Sequence, residues 1–309
     1  MRRASIDIDA LIFLGEFMFF DHVISVGFCF FVYVDCKLSG MKLITINNVE
    51  LLQFDLLQQE GLFHFSTTRN GGVSEDAYAT FNLGFYAGDN PENVYGNREI
   101  LASTMNIPVH NLFVPYQTHS DKVCVIDQEF LNLSDNDKYT RLNGVDALIT
   151  DRKDISIGVT TADCVPILIY DPQMQVFAAI HAGWKGTEAK IAGKTVQKMI
   201  AIYDCRPENL LVGIAPCISQ KHFEVGEEVV DAFREAGFPI DEIAYRNPDS
   251  RKMHIDLRMA NRLVLTDLGV LAQNIESTDL CTYSDSDRFF SARRQTIHSG
   301  RMVTGGILR

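Results

Sequence analysis

TTADCVPILIYDPQMQVFAAIHAGWKGT, residues 160–187, is the stretch that decides the fold. An apolar run from Val165 to Tyr170 meets the turn signal Asp171-Pro172-Gln173-Met174, and a second apolar run follows from Gln175 to His181. That pattern predicts a β-hairpin. A loop over 171–174 sets Tyr170 opposite Gln175 and, counting back, Cys164 opposite His181. Opposed residues of an antiparallel pair have Cβ atoms about 4.5–5.5 Å apart on one face, so a thiol meets an imidazole. Such a pair is either two ligands of one metal ion or a nucleophile with its base. Each residue alone has an ordinary explanation: a small buried hydrophobe for Cys164, a satisfied core histidine for His181. Their neighbours favour a pocket. Thr160, Thr161 and Asp163 lie on one side, and Gly183, Trp184, Lys185 and Gly186 on the other. Polar residues thus bunch where two buried strands end, and glycines there permit close backbone approach.

The surrounding chain bounds the class. With 309 residues, 46% of them hydrophobic, it can bury a large core. A formal net charge of −12 argues against nucleic-acid partners and anionic membrane surfaces. The seven cysteines are dispersed, with no C-x-x-C spacing, which points to a reducing compartment and a cytoplasmic location. There is no P-loop, no G-x-G-x-x-G and no internal repeat. The first forty residues differ from the rest. Leu11 to Val34 is apolar and aromatic but is broken by Glu16, Asp21 and His22, and charge near the middle of a membrane helix is costly. Arg2 and Arg3 would suit a secretory signal, yet no small-residue cleavage site follows. Residues 1–40 are therefore expected to be an extension outside a functional domain spanning 41–309, with membrane association only if that extension is a genuine anchor.

From Met41 onward strands mix with helices, which predicts an α/β (α+β) fold: one compact domain with mixed β-sheets and the central hairpin flanked by helices. Leu62 to Thr67 reads as a strand running into the glycine-rich loop Thr68-Arg69-Asn70-Gly71-Gly72-Val73-Ser74. Arg69 is either a surface charge or an anion ligand at that loop. Asn90 and Pro91 cap a helix to about Met105, Thr187 caps one to about Tyr203, and Asp256 opens one that stops at Gly269. His119 falls in the polar turn Gln117-Thr118-His119-Ser120. Arg293 and Arg294, read as strand residues, point to opposite faces, so only one enters a given site. Cys164, His181 and one remote histidine would give three protein ligands with one position open, the pattern of catalytic zinc. Spacing alone does not choose among His64, His119, His222 and His254.

Gln117-Thr118-His119-Ser120, Thr161-Ala162-Asp163-Cys164-Val165-Pro166, His181-Ala182-Gly183-Trp184 and Phe290-Ser291-Ala292-Arg293-Arg294 resemble, in order, the signature blocks of one family. It is the laccase-domain family, also called polyphenol oxidoreductase, peptidoglycan editing factor or purine nucleoside phosphorylase. The resemblance runs from about Leu43 to the C-terminus and takes in the Thr68–Ser74 loop and Asn82-Leu83-Gly84. It implies that His119, Cys164 and His181 hold a catalytic zinc ion. It also implies phosphorolysis of adenosine, inosine and methylthioadenosine, together with deamination of adenosine. Purine nucleosides and phosphate are then the partners. Asp163 is the nearest acid for proton handling, though on the opposite strand face from Cys164 if the pairing stays regular, and Arg69, Asn82, Gln117, Arg293 and Arg294 are the expected substrate and phosphate contacts. Ala215-Pro216 and Ser299-Gly300-Arg301 stand where the family has Gly-Pro and Thr-Gly-Arg. The eight histidines include no His-x-His pair, so multicopper oxidation does not fit and zinc is preferred to copper. Two alternatives remain. Cys164 could be a thiolate nucleophile with His181 as base, hydrolysing or deamidating an amide such as a peptidoglycan precursor, or the chain could be a non-catalytic zinc protein.

Overall fold

The strands Val165–Asp171 and Val176–Ala182 are buried at every position, and strands of that kind need a covering layer on each face. The computed structural model, which describes residues 32–38 and 40–309, supplies both layers. The two strands are central in a six-stranded sheet ordered Ile275–Ser277, Leu211–Ile214, Val165–Asp171, Val176–Ala182, Ala147–Thr150, Val123–Val125. Alternation by twos divides their side chains. Ile167, Ile169, Ala178 and Ile180 pack on helices, against Val196 and Met199 of Ile191–Tyr203, Phe233 of Glu227–Glu235 and Val264 of Leu257–Asp267. Leu168, Tyr170, Phe177 and Ala179 face the other way, onto Leu52, Phe54, Ile157 and Val159 of a second sheet.

That second sheet has seven strands, ordered Val32–Leu38, Met41–Ile46, Val49–Phe54, Leu62–Thr67, Met302–Leu308, Ser156–Thr161, Leu112–Phe113. Its far face carries Ile44, Leu51, Phe65, Val303 and Ile307 and is closed by Leu101 of the helix Pro91–Thr104. The order is helix, sheet, sheet, helices. A third, small sheet joins Glu224–Val225, Met253–Ile255 and Ala244–Arg246.

Several local expectations hold for the reasons given. Asn90 caps Pro91–Thr104 by accepting from the Glu92 N–H, and Asp256 caps Leu257–Asp267 by accepting from the Met259 N–H. Others need correction. In the hairpin, Asp171 pairs with Val176 and Tyr170 with Phe177, so the loop is residues 172–175. The Asp171 carboxylate accepts from the Gln173 and Met174 N–H groups, which makes it the last strand residue instead of the first loop residue. Cys164 therefore lies level with Gly183, and His181 is its diagonal neighbour. A slip of two residues keeps both on one face, where a slip of one would have parted them. Thr187 does not cap the long helix: it lies inside the short helix Trp184–Glu188, and a left-handed Lys190 precedes Ile191–Tyr203. Arg293 and Arg294 lie on the helical turn Ala292–Gln295, opened by Ser291, and not on a strand.

Val32–Leu38 pairs antiparallel with Met41–Ile46, so the sheet begins upstream of the boundary expected at Met41. Most of the apolar run Leu11 to Val34 lies outside the described residues. No helix among the described residues is long and apolar enough to cross a membrane.

Candidate metal centre

His181 shares strand parity with Phe177 and Ala179 and so faces between the two sheets, at the open end of its strand. Cys164 immediately precedes Val165–Asp171. His119 comes from the turn after Gln117, with φ at 59°. The metal-ligating atoms of these three residues lie within 4.8 Å of one another. Cys164 Sγ is 3.7 Å from His119 Nε2, and the two imidazoles meet edge to face with centroids 4.9 Å apart. Tetrahedral zinc sits about 2.3 Å from sulfur and about 2.0–2.1 Å from nitrogen, which separates two such ligands by roughly 3.6 Å. The three donors fit zinc in kind, and the Cys164–His119 separation fits it in spacing. Gly183 makes the approach possible: a Cβ there would stand 2.8 Å from His119 Cδ2 and 3.0 Å from Cys164 Sγ.

One carboxylate organises both histidines. Asp146, fully buried, stands just before the strand Ala147–Thr150. Its oxygens accept from His181 Nδ1 at 2.7 Å, from the backbone N–H groups of Thr118, His119 and Ser120, and from Ser120 Oγ. A carboxylate can only accept here, so His181 carries its proton on Nδ1 and presents Nε2 to the cluster. Burial pushes the Asp146 carboxyl up, but the His181 hydrogen bond and charge, with Ser120, outweigh it and hold the group below the usual range. Burial likewise pushes the Cys164 thiol up, yet the His181 charge and the hydrogen bonds of both histidines bring it down to about 6. Burial lowers His181, and the adjacent Cys164 and Asp146 reverse that, raising it to about 9. The cluster therefore favours a thiolate, the form of cysteine that binds metals or attacks carbonyls.

A cavity of about 540 Å³ opens over these groups. Asp163, Gln117 and Arg293 line it, as expected residues. Asp163, at φ 97°, accepts from Thr282 Oγ1 at 2.7 Å, Ser291 Oγ at 3.0 Å and the Arg293 N–H at 2.7 Å. It thereby ties the C-terminal segment to the residue beside Cys164. The Gln117 carboxamide is engaged with Thr160, accepting from its N–H and donating to its carbonyl.

Other expected residues are absent from the lining. Arg69 donates to the carbonyls of Ala79 and Ser286 and stacks on Phe290. Asn82 is buried and accepts from the Gly84 and Arg301 N–H groups. Arg294 donates to the Tyr283 carbonyl. The rival histidines are engaged elsewhere: His64 accepts from the Phe54 N–H, His254 bonds the Gln220 carbonyl, and His222 pairs with Ser284. Three residues at the site are not among the expected site residues. Arg98 and Arg301 line the cavity, and Asp146 orients the ligands. The one signal for Asp146 is a charge inside the apolar run Val145 to Thr150, since a buried carboxylate needs partners.

The family model described as multi-copper polyphenol oxidoreductase laccase matches residues 63–309. A Bacteroides thetaiotaomicron protein named purine nucleoside phosphorylase is 42% identical over 250 residues, 81% of this chain and 93% of its own length. Adenosine deaminase RL5, from an unknown prokaryotic organism, is 43% identical over 262 residues, 83% of this chain and 98% of its own. The crystal structure of YlmD from Geobacillus stearothermophilus superposes with a TM-score of 0.78 at 30% identity, covering 84% of this chain and 96% of that one. The matched span takes in the His119 turn, Asp146, both hairpin strands and the final strand, and on that extent the chain belongs to the multi-copper polyphenol oxidoreductase laccase family.

Proposed function

We propose that this chain is a zinc-dependent purine nucleoside enzyme. It phosphorolyses adenosine, inosine and methylthioadenosine to the base and (methylthio)ribose 1-phosphate, and it deaminates adenosine. The observation that carries this reading is the convergence of Cys164, His119 and His181 within 4.8 Å beside a cavity large enough for a nucleoside. The names borne by the relatives, purine nucleoside phosphorylase and adenosine deaminase, support the substrate class.

In this reading His119, Cys164 and His181 hold the ion, which when bound supplies an electrophilic centre and acidifies water. Zinc suits the mixed sulfur and nitrogen donors and the three-ligand count. Asp146 keeps His181 in the ligating tautomer. Tyr86 and Tyr116, both exposed on the cavity lining with ring centroids 4.2 Å apart, offer aromatic surface to a planar base; stacking of that kind contributes about 1–3 kcal/mol. Asp163 already takes three donors of the roughly four a carboxylate accepts, which leaves about one position for a proton exchanged with substrate. Arg293, its N–H fixed by Asp163, brings positive charge to the wall for phosphate. The free thiols at Cys124, Cys164, Cys205, Cys217 and Cys281 support a cytoplasmic site of action.

The test uses the full chain, because Val32–Leu38 belongs to the sheet. Bound metal is measured by mass spectrometry, and adenosine is incubated with and without phosphate and followed by chromatography. Adenine should appear only with phosphate, inosine should appear without it, and a chelator should abolish both. Protein without zinc that turns over no nucleoside refutes the reading.

A second reading is favoured by the Asp146, His181, Cys164 series, which has the orienter, base and nucleophile of a thiol hydrolase. Metal-free protein that cleaves an amide and is inactivated by iodoacetamide would establish it in place of the first.

A further inference from the structure

Three arginines line the cavity, and they differ in what their guanidinium groups already hold. Arg301 donates through its Nη atoms to the carbonyls of Gly300 and Ile297 and to Ser299. Arg293 donates to the carbonyls of His222 and Glu224. Arg98 is different. Its Nε donates to the Leu83 carbonyl at 3.0 Å, and its Cζ lies 4.4 Å above the Phe85 ring. Among the described residues neither of its Nη atoms has an acceptor, and no carboxylate lies in ion-pair range. Burial pushes it down to about 10, opposed by Tyr86 alone.

Its position is fixed by what surrounds it. The preceding residue, Asn97, is fully buried; it donates to Ser74 Oγ and the Asn82 carbonyl and accepts from the Val73 N–H. The helix is thereby clamped to the loop at Val73 and Ser74 and to Asn82, whose segment continues into the lining residues Gly84 to Ala87. Arg98 is half-buried on the cavity lining and has no counter-ion among the described residues, and even partial desolvation of an unpaired cation carries a cost. A bound anion would remove that cost, and the planar fork of an arginine matches two oxygens of a tetrahedral oxyanion. In a chain of net charge −12, a cavity lined by three arginines and a single carboxylate, Asp163, is a local departure from the general field.

We propose that Arg98 is the phosphate receptor of this cavity, its two free Nη groups binding a phosphate oxyanion. The proposal rests on the nucleoside reading above. The same chemistry serves free inorganic phosphate, the co-substrate of phosphorolysis, or the phosphate of a nucleotide.

The zinc-loaded full chain and its Arg98→Gln and Arg98→Lys variants are titrated calorimetrically with inorganic phosphate and with adenosine 5′-monophosphate, and KM for phosphate is measured with adenosine. Arg234→Gln, at an exposed ion pair with Asp231, serves as control. Arg98→Gln should weaken phosphate binding and raise KM for phosphate about 10- to 100-fold, as expected for losing charge-assisted hydrogen bonds. Arg98→Lys, which keeps the charge but not the fork, should fall between. Arg98-dependent binding of inorganic phosphate identifies the co-substrate; Arg98-dependent binding of the nucleotide alone identifies a nucleotide phosphate. Either variant, folded and with wild-type affinity for both, overturns the proposal. Turnover with an Arg98-independent phosphate KM sinks the subsite and leaves the enzyme, whereas Arg98-dependent binding without turnover does the reverse.

Discussion

Replacing Asp146 by asparagine tests the metal centre at the residue that touches no metal. The substitution keeps shape and removes charge. The carboxamide it introduces has one acceptor oxygen and one NH₂ where the carboxylate had two acceptors. If the oxygen stays on His181 Nδ1, the NH₂ faces the N–H groups of Thr118 and Ser120, which lose their acceptor. If the NH₂ turns to His181, the imidazole must accept at Nδ1 and carry its proton on Nε2, the atom meant to ligate. Both outcomes damage a ligand, because His119 rides on the same turn. Loss of a carboxylate behind a metal-bound histidine costs about 10–100-fold in affinity, or about 1.4–2.7 kcal/mol. With two histidines affected, the upper end is expected. Competition against a chromophoric zinc chelator measures it, with a thermal melt to show that the variant is folded. A folded Asp146→Asn protein whose zinc Kd stays within about three-fold of wild type would refute the reasoning.

Gly183→Ala should lower zinc affinity about ten-fold or more while the fold survives, since its φ of −66° suits alanine but the new methyl would stand 2.8 Å from His119 and 3.0 Å from Cys164; zinc titration beside circular dichroism checks both halves. His64 supplies a pH effect remote from the site. Burial depresses it from 6.5 to about 4, so the unfolded chain takes up a proton that the folded chain refuses. Stability is full above pH 6.5 and declines as pH falls towards 4, by about 3 kcal/mol in all from this group. Urea midpoints of wild type and His64→Gln between pH 7 and 4.5 should converge as that dependence is removed, and parallel curves would contradict it.

What can be read from the chain follows the range of the interactions involved. The hairpin, the capped helix at Asn90 and the strand after Gly61 are local, set by alternation and by residues a few positions apart. The pairing of Cys164 with His181 falls on the right face with a register two residues off, because an aspartate that caps its own loop looks like a turn residue in sequence. Arg293 and Arg294 look like strand residues for a similar reason: the helical turn that Ser291 opens is also held by Asp163, 130 residues away, which accepts from the Arg293 N–H. Asp146 and Arg98 are beyond reach. One looks like a strand-end charge and the other like a helix-surface charge until tertiary contacts bury the first and set the second on the wall of the cavity.

The strand Met302–Leu308 lies between Leu62–Thr67 and Ser156–Thr161 and is the seam of the seven-stranded sheet. During synthesis both neighbours leave the ribosome well before it, each with an unpaired edge. The long-range closure they await is slow by its nature and leaves those edges open to other chains in the meantime. Arg301 and the Ser291–Arg293 segment that reaches Asp163 arrive with that same seam. A nascent or clipped chain lacking it is thus both prone to aggregate and without a finished cavity, so catalytic competence and conformational safety are reached in one step.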